Sequence, residues 1–145
     1  MQKVRFYEEM QDDLLKFAVI VAKCNGKWVF CKHKERQTYE CPGGHREAQE
    51  GILETAKREL YEETGAIEYS IHPACVYSVQ DHEEETGAAG EEVFGMLYYA
   101  DIAEVEELPQ ESEMEKIELF TDLPSNWTYP EIQPKLVEKA ELIAG

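Results

Sequence analysis

Apolar residues along this chain change their spacing from segment to segment, and the changes mark out its elements. From Phe17 to Cys24 and from Trp28 to Lys32 they form dense runs of strand length. Asn25-Gly26 lies between the runs and predicts a tight hairpin, because both residues tolerate positive φ. From Ile52 to Thr64 the spacing becomes helical, with Ile52, Leu53, Ala56 and Leu60 on an apolar stripe. Gly65 supplies the left-handed residue that ends such a helix. Strands are predicted at Cys75 to Gln80, Val93 to Ile102 and Lys116 to Phe120. Asp81 to Glu92 reads as a polar loop, and Glu104 to Glu115 as an acidic one. A last helix is predicted from Gln133 to Ile143, with Leu136, Val137, Ala140 and Ile143 on its apolar side and Pro134 in its first turn. Strands and helices in this order indicate an α/β layered domain with a mixed sheet.

The polar face of the first helix changes the picture. Glu59, Glu62 and Glu63 stand at i, i+3 and i+4, so three carboxylates share one turn. Alone, in so acidic a chain, they would read as a solvated face. A cation between them would turn their repulsion into a binding site, and oxygen-only ligands of this kind suit Mg²⁺ or Mn²⁺. Ahead of the helix, Pro42-Gly43-Gly44 lets the backbone approach a ligand closely. Arg58 is spaced to pair with Glu50 or a neighbouring carboxylate.

Gly44, Glu50, Arg58, Glu59, Leu60, Glu62, Glu63, Gly65 and Ala66 follow the order G-x5-E-x7-R-E-U-x-E-E-x-G-U, with U apolar. This string resembles the signature of the Nudix hydrolases, which cleave a diphosphate linked to another moiety. Ala66 is smaller than the branched residue common at the last position, and Cys41 replaces a frequent large apolar residue; neither change removes a ligand. Weaker similarity to the MutT-like nucleoside triphosphate pyrophosphohydrolases extends over the hairpin and the Leu123-Pro124 segment. The resemblance implies an α/β/α sandwich with a mixed β-sheet, one Nudix domain over residues 1–145, and a box over 44–66. It also implies Glu59, Glu62 and Glu63 as metal ligands with the Gly44 carbonyl, Arg58 orienting a carboxylate, and Glu50 supporting that arrangement. Glu111 and Glu113 are the candidates for a general base on a later acidic loop.

The implied reaction is Mg²⁺- or Mn²⁺-dependent attack of water on a nucleotide phosphorus, with an ordinary or oxidised nucleoside triphosphate giving monophosphate and pyrophosphate. Alternatives within the enzyme class are ADP-ribose, dinucleoside polyphosphates and an RNA 5′ end. Segment 80–84 lacks the downstream Pro that relatives acting on ADP-ribose tend to carry. A nucleotide-sensing module without catalysis is the alternative from another class. Lys32, Lys34 and Arg36 form a locally basic stretch before the glycines, and with His45 they are candidates to meet phosphate. His33, His72 and His82 read as surface or loop positions. Asn126 and Trp127 are candidates to bind the base, with core packing the competing role for Trp127.

The whole chain narrows the partners further. At 145 residues its length suits one domain with its own core. A formal charge of −17 argues against a protein that holds long nucleic acid and favours a single nucleotide carried with its metal. Cys24, Cys31, Cys41 and Cys75 contain no C-x-x-C pair and read as reduced, which points to the cytoplasm. Met1 to Asp13 is polar and acidic with no apolar centre, and Phe17 to Ala22 is too short to cross a bilayer, so neither a signal peptide nor a membrane partner is expected. A monomer or a homodimer is equally compatible with these features.

Overall fold

The computed structural model describes residues 1–83 and 85–144; Glu84, within the predicted polar loop, and Gly145 lie outside them. In chain order the elements are β1 (Gln2–Tyr7), a short 3-10 turn (Asp12–Leu14), β2 (Leu15–Cys24), β3 (Lys27–His33), β4 (Tyr39–Glu40), β5 (Gly43–His45), α1 (Ile52–Thr64), β6 (Ala66–Asp81), β7 (Val93–Val105), β8 (Met114–Phe120) and α2 (Gln133–Ala144). The strands form one mixed sheet in the order β1-β6-β7-β2-β3-β4, with β5 on β2 and β8 on β3. Among the described pairs of named strands β2–β7 alone is parallel, and the isolated bridge between Tyr39 and Trp127 is parallel too.

β2 is apolar along almost its whole length because helices cover both of its faces. Alternation with period two sends Ala18, Ile20 and Ala22 to one face, where they pack with Ala56 and Leu60 of α1 and with Tyr98, Ala100 and Ile102 of β7. Phe17, Val19 and Val21 point to the other face, against Leu136, Val137 and Ala140 of α2. The result is the α/β/α sandwich with a mixed sheet. Burying a Leu or Ile in either layer contributes about 1.5–3 kcal/mol.

Asn25 and Gly26 both adopt positive φ, 54° and 77°, and close the β2–β3 hairpin as expected. α1 ends at Gly65, whose φ of 76° lets its N–H reach the Tyr61 carbonyl at 2.8 Å. Its buried face differs in detail from the predicted stripe. Leu53 is exposed, while Thr55 and Thr64 are buried with hydroxyls that hydrogen-bond within the helix. Ile143 is likewise exposed, in the last turn of α2.

Four strands also depart from the pattern. The polar N-terminus contains β1, which alternates Gln2, Val4 and Phe6 inward and pairs antiparallel with β6. β6 starts at Ala66 rather than Cys75, with a register shift at Pro73/Cys75 where proline cannot donate to the ladder. Much of the acidic stretch after residue 104 is a loop, but β7 extends to Val105 and β8 begins at Met114. Among the described residues no helix is long and apolar enough to cross a membrane.

Candidate active site

The site forms where β5 crosses the acidic face of α1. β5 pairs with β2 through Gly43, Gly44 and His45, so the glycines are fixed in the sheet and their bare backbone faces the helix. The Gly43 N–H donates to Glu63 Oε1 at 2.8 Å. A Cβ on Gly44 would stand 2.5 Å from the Glu59 carboxylate, so only glycine leaves that carboxylate its place.

Arg58 organises the other carboxylates. Its Nε and Nη2 donate to the two oxygens of Glu50 at 2.7 and 3.0 Å, its Nη2 also reaches the His45 carbonyl at 3.0 Å, and its Nη1 reaches Glu59 at 2.7 Å and Glu62 at 3.3 Å. Glu50 is itself held by the Thr55 hydroxyl at 2.6 Å. The loop bearing Glu50 is tied down by Arg46, which bonds the Glu50 carbonyl at 2.6 Å and Asp12 Oδ2 at 2.7 Å.

This network divides the acids electrostatically. The Arg58 hydrogen bonds hold Glu50 down to about 2. Burial raises Glu59, although Arg58 opposes it. Burial pushes Glu63 up to about 8, reinforced by the charges of Glu59, Glu40 and Glu113 and opposed by the Gly43 N–H. One guanidinium thus faces four carboxylates, Glu47, Glu50, Glu59 and Glu62, with Glu63 buried beside them, and this surplus of carboxylate oxygens matches the demand of a hard divalent cation. Among the described residues no three His, Cys, Asp or Glu side chains stand in ready-formed ion geometry. The donor chemistry fits such a cation, with the carboxylates still to be drawn together.

The structure brings Glu59, Glu62, Glu63, Arg58, Glu111 and Glu113 around one cavity of about 520 Å³, so the acidic loop before β8 does meet the helix. His45 instead lines a second cavity of about 430 Å³ on the other side of β5, mostly apolar, with Phe17, Val19, Tyr77, Ile132 and Gln133 on its walls. The remaining candidates stand elsewhere. Lys32 is buried against Glu115 at 3.3 Å, Arg36 pairs with Glu40 at 3.3 Å, and neither they nor Lys34 line these two cavities. Lys32 lies on β3, which pairs with β8 and β4, and Lys34 and Arg36 lie just beyond the end of that strand. Asn126 donates to the Gln37 carbonyl at 2.8 Å, and Trp127 packs edge-on to Phe30 with centroids 5.1 Å apart, so both hold the β4 region together and are absent from the cavity walls.

Gln133, Arg46, Phe17 and Tyr77 were not singled out as site residues by sequence reasoning. Gln133 and Arg46 carry polar groups whose partners lie 92 and 34 residues away, and no local pattern announces them. Gly95 offered a partial signal, since a glycine inside a strand marks a close approach. It accommodates the Phe17 ring, which would clash with any Cβ there.

Comparison with known proteins agrees with this fold. The NUDIX domain model matches residues 14–139. YtkD of Bacillus subtilis (strain 168), a proposed 8-oxo-dGTP diphosphatase, is 32% identical over 124 residues, covering 86% of this chain and 73% of that protein. The crystal structure of a mutant of the Bacillus subtilis pyrophosphohydrolase BsRppH superposes with a TM-score of 0.77 at 26% identity, covering 97% of this chain and 91% of that one. The NUDIX domain of Shewanella oneidensis NrtR, complexed with ADP ribose, shares the fold with a TM-score of 0.57 at 14% identity, covering 90% of this chain and 88% of that one.

Proposed function

The chain belongs to the Nudix family and is a Nudix hydrolase; from that premise we propose that it hydrolyses a nucleoside triphosphate, ordinary or oxidised, to monophosphate and pyrophosphate. The observation that carries this reading is the placement of β5. On one side its two glycines meet the carboxylates of α1, and on the other Gly43, Gly44 and His45 line an apolar cavity of about 430 Å³. A base with its sugar suits the apolar side, and a metal-bound phosphate chain suits the acidic side. The likeness to YtkD supports a triphosphate substrate.

In this reading Glu59, Glu62 and Glu63, with the Gly44 carbonyl, hold Mg²⁺ or Mn²⁺, which when bound neutralises phosphate charge and polarises the phosphorus. Arg58 bridges Glu59 and Glu62 through its Nη1 and keeps them oriented, and Glu50 keeps Arg58 in place. The Gly43 N–H fixes one oxygen of Glu63 so that the other is free for a ligand. Glu111 or Glu113 takes the proton from the attacking water, since both line the acidic cavity. The domain spans residues 1–145.

A panel of nucleoside triphosphates, oxidised triphosphates, ADP-ribose, dinucleoside polyphosphates and 5′-triphosphorylated RNA, each with Mg²⁺ and scored for products, tests the proposal. Monophosphate plus pyrophosphate from a triphosphate is the expected result. Faster cleavage of ADP-ribose, or orthophosphate as the only phosphate product, would overturn it.

A further inference from the structure

The end of β3 holds the loop that carries Glu113 against the acidic cavity. His33 closes that strand with only 15% of its side chain exposed, so it is not the surface or loop position predicted for it. Its Nδ1 accepts the Glu35 N–H at 3.0 Å. A backbone N–H can only donate, so Nδ1 carries no proton, and in the neutral ring the hydrogen stands on Nε2. Nε2 faces Glu113 Oε2 at 3.8 Å. The backbone beneath is fixed as well, because the Glu113 carbonyl accepts the Lys34 N–H at 3.0 Å. Between the pairs Lys32↔Lys116 and His33↔Met114 the register skips Glu115, a bulge of the kind that re-aims side chains beside active sites. Of the two acids on this loop, Glu113 helps by its charge to raise both Glu59 and Glu63, and Glu111 acts in the same way on Tyr61.

We propose that His33 is a positioning residue for the general base: its Nε2–H donates to Glu113 Oε2 and so makes Glu113, rather than Glu111, the acid that takes the proton of the attacking water. The inference rests on the reading in which an acid of this loop is the base. At 3.8 Å the two groups stand in ion-pair range, a small rotation short of a hydrogen bond, and catalytic contacts of this length tighten in the substrate complex. With Oε2 engaged by His33, Oε1 is left to the water. The water oxygen bonds phosphorus, the bridging P–O bond breaks toward pyrophosphate, and one water proton passes to Oε1. Glu113 is 80% exposed, so that proton leaves to solvent and the carboxylate is restored. An ionised carboxylate only accepts, and a neighbouring N–H holds it in one orientation without competing for the proton.

The test joins kinetics to spectroscopy of the metal-free protein. His33→Asn keeps an oxygen at the Nδ1 position for the Glu35 N–H but places no donor near Glu113, so the strand end keeps its bond and only the positioning is lost. With Mg²⁺ and a nucleoside triphosphate it should lower kcat about tenfold, with KM within about twofold and Tm unchanged. His33→Gln, whose amide nitrogen reaches further, should recover kcat to within about threefold of the wild type. On a Glu113→Gln background His33→Asn should have almost no further effect, whereas on Glu111→Gln it should keep its full cost. In metal-free protein at about pH 8, where an ordinary imidazole is neutral, nitrogen NMR should find the His33 hydrogen on Nε2, with an Nε2 shift that moves in Glu113→Gln and holds in Glu111→Gln. If His33→Asn does not fold, the NMR comparison, which leaves His33 in place, decides. Unchanged kcat in His33→Asn, no recovery in His33→Gln, an additive loss on Glu113→Gln, or a hydrogen on Nδ1 would each overturn the proposal. Wild-type kcat in Glu113→Gln would overturn it too, because that carboxylate would then not be the base. If the wild type cleaves another substrate of the panel and no triphosphate, the triphosphate reading falls, and the same variants are measured on that substrate.

Discussion

Arg58 and Glu50 are joined by two parallel hydrogen bonds, Nε to Oε2 at 2.7 Å and Nη2 to Oε1 at 3.0 Å, which fix the guanidinium plane and aim its remaining nitrogen at Glu59. A lysine keeps the charge but not the fork. Arg58→Lys should therefore lower kcat by about 10- to 100-fold, with a smaller change in KM, because the cavity across β5 proposed for the nucleoside is untouched. Steady-state kinetics check it, and an unchanged kcat would mean that the fork does not position Glu59.

Glu63→Gln should fold, since the amide oxygen can still accept the Gly43 N–H. It replaces a charged oxygen with a neutral one where charge neutralisation dominates catalysis. Turnover should fall by about a hundredfold or more. Near wild-type turnover at saturating Mg²⁺ would remove Glu63 from the metal site.

The pH dependence of stability follows from the same residue. Folding raises Glu63 from 4.5 to about 8. A group raised on folding contributes stability that is complete below its unfolded value and lost as pH rises through its folded one. Metal-free protein should thus lose Tm between about pH 5 and pH 9, and Glu59, also raised, acts in the same direction. Glu50, held at about 2, has the opposite sign, and its contribution is lost only as pH falls from 4.5 through that value. Mg²⁺ at about a hundredfold excess over Kd should restore about 2.7 kcal/mol, on the order of 5–10 °C in Tm, with a larger shift at high pH than at low. Differential scanning calorimetry of wild type and Glu63→Gln, with and without Mg²⁺, decides it: the variant should show a flatter pH slope. The Glu59→Gln, Glu62→Gln, Glu63→Gln triple variant should lose the Mg²⁺ response altogether.

Two glycine-to-alanine changes separate space from conformation. Gly44→Ala places a methyl group against the Glu59 carboxylate and should reduce metal affinity and kcat by about tenfold or more. Gly26→Ala meets nothing within 4 Å but sits at φ 77°, so it should cost about 1 kcal/mol in the hairpin and leave kcat unchanged. Equal kcat for both variants would contradict the role given to the Gly44 contact.

The parts of this molecule legible from sequence are those whose cause is local. Ile52–Thr64 forms a helix at the predicted bounds because periodicity and the Gly65 cap agree, and the hairpin follows from Asn25-Gly26 alone. β1 escaped because an edge strand can carry Lys3 and Arg5 on its open face, leaving only Val4 and Phe6 as an apolar signal. The pairing of Arg58 with Glu50 was readable from spacing, whereas Glu111 and Glu113 came only from the family resemblance. The basic stretch misled because Lys32 and Arg36 find carboxylates of their own, Glu115 and Glu40, which only the register of β3 with β8 and β4 reveals.

β5 is three residues long, yet each of them serves both cavities or the network between them. Gly43 bonds Glu63, Gly44 leaves room for Glu59, the His45 carbonyl receives Arg58, and all three line the apolar cavity. On the proposed reading a substitution in this segment is pleiotropic, altering discrimination and turnover together. Variation that retunes the choice of nucleotide while sparing the rate has to enter through the opposite wall, at the start of α2 and along the outer part of β6, where no contact with the carboxylates is disturbed.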